Sequence, residues 1–430
     1  MSSPNILISG SGIAGSAFAF WLLRAFKHAR ITIVERAPEL RLTGSSVDIR
    51  SSAVDIIKRM GVEPAIRAAS TNEEGVSWVN SSGKAFATMR ATGRTDVQSI
   101  TSEYEIFRGT LAKILIQPSM DKVQLVFDEY VDTYQELADG VEVTFAKGRP
   151  AEKFDLLVAA DGLGSRIRGQ MLGKPSRDQI HDEGVHVAYF TVKKDLLNGS
   201  KLAKWYNAPG GRVVFLRPDP AGQTRGHFMS VTKANDLAGK KRLNDTIAQG
   251  NEAYMDLLEK DFADAGWQAS QLLAEMRTST DFYCSLFGQV RSPKLHSTSG
   301  RVVLLGDAGY ATPGIGTSLA TIGGYVLAGE ILREPTNLSL ALQRYEQLMM
   351  PFVKSHQGDD NAMQIMNPQS RWGIACRNAV FTVVMGLKID RVAMRAAALL
   401  GFSEKKLDMP DYAWPEEAQD EVVMVAAAAK

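Results

Sequence analysis

The chain has 430 residues, with 49 Lys and Arg against 48 Asp and Glu and a formal net charge of +1. Apolar residues make up 45% and charged residues 23%, which excludes a disordered or fibrous chain and any general electrostatic pull on nucleic acid or acidic membranes. Two cysteines, Cys284 and Cys376, exclude a disulfide scaffold, a four-thiolate zinc site, an iron–sulfur cluster and a C-x-x-C redox pair, and favour a reducing compartment. The length exceeds what one small core serves, so two domains are expected.

Met1 to Asn5 lead directly into Ile6-Leu7-Ile8. With no basic n-region and no cleavage site, the reading predicts no signal peptide and a cytoplasmic protein. The next 30 residues read strand, glycine turn, helix, strand. Ala14 to Phe26 repeats apolar residues at helical spacing, and Ile31-Thr32-Ile33-Val34 is a β-branched strand ending at Glu35. Such a β-α-β unit implies a parallel sheet. Helices are expected from Ser52 to Met60, stopped at Gly61, and from Arg108 to Ile116.

The middle of the chain differs. Val185 to Val192, Val213 to Leu216 and Gly226 to Val231 are apolar runs separated by turn residues such as Pro209-Gly210-Gly211. They predict antiparallel strands of a second sheet. Leu243 to Phe262 reads as one helix. Arg301-Val302-Val303-Leu304-Leu305, before Gly306-Asp307, returns to the first kind of strand, so the first domain is interrupted and then completed. Helical patterning runs from Ser318 to about Gly401. Within it Asn378 to Leu387 is uncharged, but far short of the roughly 20 residues a bilayer requires, so no transmembrane segment is expected. Pro415 to Lys430 reads as a loose tail.

Three motifs carry chemistry. In Gly10-Ser11-Gly12-Ile13-Ala14-Gly15, the first glycine allows the tight turn. The second lets a pyrophosphate approach the backbone, and the third lets helix and strand pack closely; the helix N-terminus then faces the phosphates. Glu35 stands 20 residues beyond Gly15, where a carboxylate accepts hydrogen bonds from a ribose. In Asp155-Leu156-Leu157-Val158-Ala159-Ala160-Asp161-Gly162-Leu163-Gly164-Ser165-Arg166-Ile167-Arg168, a strand ends in Asp-Gly and Ser165 suits a helix cap. In Gly306-Asp307-Ala308-Gly309-Tyr310-Ala311-Thr312-Pro313-Gly314-Ile315-Gly316-Thr317-Ser318, a glycine-rich loop enters a helix whose N–H groups favour negative charge.

Together, in this order from Ile6 to about Pro351, the motifs resemble the FAD-dependent aromatic hydroxylases of the p-hydroxybenzoate hydroxylase type. Within that family the segments Gly44-Ser45-Ser46-Val47-Asp48-Ile49 and Glu105-Ile106-Phe107-Arg108-Gly109-Thr110-Leu111 are similar to those of tetracycline-inactivating monooxygenases. The resemblance implies an α/β fold: a Rossmann-like FAD-binding domain with a mixed parallel sheet, interrupted by an antiparallel-sheet substrate domain and followed by C-terminal helices. The expected segments are 1–72, 99–176 and 291–365 for FAD, 73–98 and 177–290 for substrate, and 366–430 for the C-terminal helices and tail.

It also implies residue roles. Gly10, Gly12, Ile13, Ala14, Gly15 and Glu35 would hold the ADP half of FAD, with Arg36 near the adenine or pyrophosphate. Asp48 would touch the flavin, Arg108 would grip the FAD linker, and Asp307 would bind the ribityl or pyrophosphate region. Arg41 would meet NADPH near the flavin, and Asp161 and Arg168 belong to a motif serving both FAD and NADPH. The loop Gly314, Ile315, Gly316, Thr317 and Ser318 would lie near the flavin. It is shorter than usual in the family, and Tyr310 replaces the commonest His.

The implied reaction uses FAD, NADPH or NADH, and dioxygen. A flavin C4a-hydroperoxide would hydroxylate a small or medium phenolic, polyketide-like or alkaloid-like molecule in biosynthesis or detoxification. No side-chain nucleophile or metal is assigned. Tyr189, Trp205, Tyr206, Phe215, His227 and Met229 are candidate substrate liners, some on the pocket side by strand alternation, with His227 also a candidate base for a phenol. The same chemistry serves Baeyer–Villiger oxidation or epoxidation, and an oxygen-independent dehydrogenase or reductase is a further alternative. A non-enzymatic flavoprotein scaffold is a weaker one.

Overall fold

The computed structural model describes residues 3–41, 44–90, 104–358, 361–387 and 406–415. The predicted tail beyond residue 415 lies outside them. A parallel five-stranded sheet forms the first layer, in the order Val302–Leu304, Leu156–Ala159, Asn5–Ser9, Arg30–Glu35, Gln124–Phe127. Its strands are near-continuous apolar runs because both faces are covered. Helices Ile13–Ala25 and Gly316–Arg333 pack on one another here. Adding a Cβ to Gly324 would bring it within 2.8 Å of the Phe18 backbone N, so their close approach rests on a small residue. A three-stranded antiparallel sheet, Val131–Leu137, Gly140–Phe145 and Glu152–Phe154, joins the same core.

The second large sheet has seven strands, ordered Tyr283–Val290, Ile180–Val192, Thr224–Val231, Arg212–Pro218, Leu202–Ala208, Gly75–Val79, Ala85–Arg90. Neighbours are antiparallel except Leu202–Ala208 with Gly75–Val79, which are parallel. One face packs on helices Leu237–Ala248, Asn251–Phe262 and Ala269–Thr278. The other carries a second apolar cluster, joined by Met363, Met366, Phe381 and Met385 from the C-terminal helices Ala362–Met366 and Arg371–Gly386.

The single helix expected over Leu243–Phe262 is two helices. Gly250 between them has φ 106°, a left-handed conformation that ends the first helix and that glycine adopts without strain. Among the described residues no helix is long and apolar enough to cross a membrane.

Candidate active site

The glycine turn is built as a cradle. Gly10 has φ 109°, and a Cβ there would lie 2.4 Å from the Ala160 carbonyl oxygen. One at Gly15 would lie 2.2 Å from the Gly10 carbonyl oxygen. These two glycines are required by the protein's own packing. Gly12 differs: a Cβ there meets nothing within 4 Å. Gly12 is also the N-cap of Ile13–Ala25, without a side-chain cap. Open space in front of uncapped N–H groups at a helix N-terminus fits a pyrophosphate. Ile13 and Ala14 are buried, so toward a ligand they offer backbone alone.

Glu35 closes one side of the cradle. Its Oε2 accepts from the Ser11 N–H at 3.1 Å and the Ser11 hydroxyl at 3.0 Å, and its Oε1 accepts from the Ala37 N–H at 3.0 Å. Arg41 sits 3.5 Å from the same Oε1, and Arg36 is exposed. The carboxylate draws the exposed guanidinium to the Glu35 side of the cradle.

Asp307 starts the short helix Asp307–Tyr310 and faces Arg108 at 3.6 Å. Arg108 in turn is held by its N–H, which donates to the Ser45 carbonyl at 3.0 Å. Asp48 pairs with Arg50 at 2.8 Å, and the Arg50 N–H donates to the Ser318 hydroxyl at 2.8 Å. So the strand Ser46–Asp48, Arg108, Asp307 and the loop before Gly316–Arg333 form one contiguous rim. Gly314 in that loop has φ 83° with open space beside it.

Asp161 and Arg168 divide their roles. Burial raises the carboxyl of Asp161, and its Oδ1 has no hydrogen-bond partner. Arg168 is fully buried and donates to the carbonyls of Leu163, Ser176 and Ala308. It ties the Asp-Gly turn to the Gly306-Asp307 motif and is not turned toward a ligand. Ser165 caps the helix Arg166–Leu172, accepting from the Arg168 N–H at 3.0 Å. Tyr310 also points inward, and its hydroxyl meets that of Tyr345 at 3.0 Å.

Facing this rim, the seven-stranded sheet presents one straight row of directly paired residues: Tyr283, Tyr189, His227, Phe215, Trp205 and Trp78. Paired residues share a face. Tyr189 stacks on Tyr283 at 4.6 Å and 9°, and ring centroids then step 5.1, 5.3 and 4.8 Å from Tyr189 through His227 and Phe215 to Trp205. Met229 is on this face too. Tyr206 is not, which corrects its place among the substrate liners. It is adjacent in sequence to Trp205, so it points to the opposite face, where it packs against Trp267 and donates to the Ala265 carbonyl at 3.0 Å.

A buried charge cluster joins the two layers. Arg217 donates to Glu73 at 2.8 Å and also to Glu105 and Ser46. Thr71 donates to the second Glu105 oxygen at 3.0 Å. Burial, opposed by Arg217 and reinforced by Glu105, pushes the Glu73 carboxyl up to about 7. Burial and the Arg217 charge push His227 down to about 3, so it is neutral; its Nδ1 lies 3.2 Å from the Phe215 carbonyl, which requires the proton on that nitrogen. Such a ring is a poor base near neutral pH. Arg217, Glu73, Glu105, Arg225 and Tyr283 were not singled out by sequence reasoning. The available signal was period two: Arg217 and Arg225 stand two residues from Phe215 and His227 on the same strands.

The fold and the cradle define a dinucleotide-binding flavoprotein. The chain matches the family model described as FAD binding domain over residues 4–318, and it belongs to that family. It is 30% identical to the FAD-dependent monooxygenase asL4 of Sarocladium schorii, over 96% of this chain and 99% of that protein. It is 32% identical to the flavin-dependent monooxygenase eupH of a Phoma species, over 96% and 98%. The crystal structure of tetracycline destructase Tet(51) superposes with a TM-score of 0.73 at 28% identity, covering 96% of this chain and all of that one. The chain is therefore an FAD-dependent monooxygenase.

Proposed function

We propose that the protein hydroxylates a small or medium aromatic molecule, phenolic or polyketide-like, using a reduced nicotinamide nucleotide and dioxygen. The single observation that carries this reading is the aromatic row facing the rim of Asp48, Arg108, Asp307 and the loop 314–318. The lobe of the five-stranded sheet would carry FAD and that of the seven-stranded sheet the substrate. Bound FAD supplies hydride acceptance from the nicotinamide and activation of dioxygen.

The chain's own residues do the rest. Gly12 and the start of Ile13–Ala25 receive the pyrophosphate, Glu35 the ribose, and Arg108 with Asp307 the linker toward the flavin. The N–H groups at the start of Gly316–Arg333 favour negative charge on the ring. Phe215, Trp205 and His227 offer an aromatic surface against which an aromatic substrate lies. Burial of this surface excludes water from the reacting atoms.

The test is the visible spectrum of FAD-loaded protein during anaerobic NADPH addition, then air, followed by substrate-dependent NADPH oxidation across a panel of phenols. Bleaching of the flavin band, recovery in air, and a product heavier by one oxygen atom from labelled dioxygen are expected. Protein that binds no FAD sinks the reading. Bleaching that air does not reverse would instead indicate a dehydrogenase or reductase.

A further inference from the structure

We propose that Glu73 is the proton acceptor for an acidic hydroxyl of the substrate, reached through the small cavity that Tyr189, Tyr283 and His227 close on the sheet side. The inference deepens the monooxygenase reading and rests on it. The cavity is lined from the other side by Gly44, Ser45, Ser46, Thr71 and Glu73. Its free volume is about 10 Å³, room for roughly one water molecule. Tyr283, Tyr189 and His227, which line it, are three successive members of the aromatic row, so a ring lying next to them against Phe215 can direct a hydroxyl into it.

Three carboxylates, Asp48, Glu73 and Glu105, face two guanidinium groups, Arg50 and Arg217. Arg225, also on the cavity wall, pairs with Asp219 at 2.6 Å and Asp281 at 3.1 Å. A carboxylate held away from water beside a second one, Glu105, is costly, and taking up a proton removes the cost. Glu73 is the member placed to take it. One of its oxygens is held by Arg217, while Oε1 is buried without a hydrogen-bond partner. Its side chain is only 1% exposed.

The other titratable groups on the wall do not serve. His227 is neutral with Nδ1 occupied, and burial raises the phenols of Tyr189 and Tyr283. Glu73, by contrast, titrates near neutral pH, where a base is most effective. In the step, the substrate hydroxyl gives its proton through one water to Oε1. The substrate oxygen keeps the bonding pair as a phenolate, which enriches the ring toward electrophilic oxygen. Glu73 becomes a neutral acid and returns the proton to solvent after product leaves.

The experiment uses FAD-loaded protein without nucleotide and 4-nitrophenol as the probe. Proton uptake on binding is measured by calorimetry in two buffers of different ionisation enthalpy. At pH 8 both the free probe and Glu73 are ionised, and two like charges on either side of one buried water repel. Wild-type protein is expected to take up about one proton per bound probe at pH 8 and close to none at pH 6. Glu73→Gln, which has no carboxylate to protonate at this position, is expected to take up none at either pH, as is wild type with 4-nitroanisole. Equal uptake in wild type and variant, no uptake in wild type, or no binding of 4-nitrophenol up to its solubility would overturn the proposal. Should the Gln variant lose its fold, Glu73→Ala is measured in its place, with the same loss of uptake at pH 8 expected. Protein that oxidises NADPH with oxygen yet takes up no proton would reject this role and leave the monooxygenase reading standing.

Discussion

At the level of single residues, the glycine turn separates what the protein needs for itself from what it offers a ligand. Gly10 and Gly15 are fixed by carbonyl oxygens of the protein, whereas Gly12 faces open space. Gly15→Ala should therefore lower stability by about 1–3 kcal/mol through overpacking. Gly12→Val should leave the thermal midpoint of the FAD-free protein unchanged and abolish FAD retention. Equal destabilisation by both, measured by denaturant unfolding, would contradict the division. This motif was readable because its six residues are consecutive and each has a local steric reason. The Glu73–Arg217 pair was not, since 144 residues separate its partners and neither has a local pattern that marks it.

Glu73 also makes stability depend on pH. Its folded carboxyl is raised to about 7 from an ordinary value of 4.5, so between these values the folded state binds more protons than the unfolded one. Stability contributed by this group is present at pH 4.5 and is lost as pH rises through 7. Glu73→Gln removes that loss. Its stability relative to wild type should improve steadily from pH 5 to pH 8, by a few kcal/mol at most. A difference that stays flat with pH, or runs the other way, would show that Arg217 holds Glu73 ionised throughout.

At the level of elements, strand alternation decides which aromatic residues lie on the face proposed to meet the substrate. The apolar runs predicted three strands of the second sheet, but not Leu202–Ala208, whose Lys204, Tyr206 and Asn207 obscure the run. Without that strand the face of Trp205 and Tyr206 is undetermined, because adjacent residues face opposite sides. Pairing settles it: Trp205 aligns with Phe215 and Trp78, and Tyr206 goes to the helical side. Tyr206→Phe should cost about 1 kcal/mol, the worth of its hydrogen bond to Ala265, with product formation unchanged. Phe215→Ala should lower product formation at least ~10-fold while FAD content is retained. Tyr206→Phe impairing turnover as much as Phe215→Ala would place the substrate on the wrong face. The split of the predicted helix Leu243–Phe262 has a similar origin. Apolar spacing continues across the break, and only the left-handed backbone at Gly250 marks the stop.

Across the whole molecule, the loop that leads into Gly316–Arg333 depends on a segment remote from it in sequence. Residues 406–415 lie along the helix Gly316–Arg333, whose N-terminal end carries that loop. Ser52 donates to the Leu407 carbonyl at 3.0 Å, and Tyr325 donates to the Pro410 carbonyl at 3.0 Å. Tyr412 stands 5.3 Å from Tyr325 and 5.6 Å from Trp414, and Trp414 stands 4.7 Å from Trp21. A Cβ on Gly329 would lie 2.1 Å from the Tyr412 ring, so that glycine exists to receive it. The Tyr412 hydroxyl donates at 2.8 Å to Glu330, a fully buried carboxylate otherwise paired with Arg333. Tyr412→Ala removes both the ring and this donor and should cost about 3–5 kcal/mol. Tyr412→Phe keeps the packing but strips the carboxylate, which should cost about 1–3 kcal/mol. Because both act on the helix that presents Gly316 to Ser318, FAD affinity should fall in the same order, measured by flavin fluorescence on dilution. If stability falls as expected while FAD affinity is untouched, the segment braces the core alone, and the loop takes its shape from Asp48, Arg50 and Asp307.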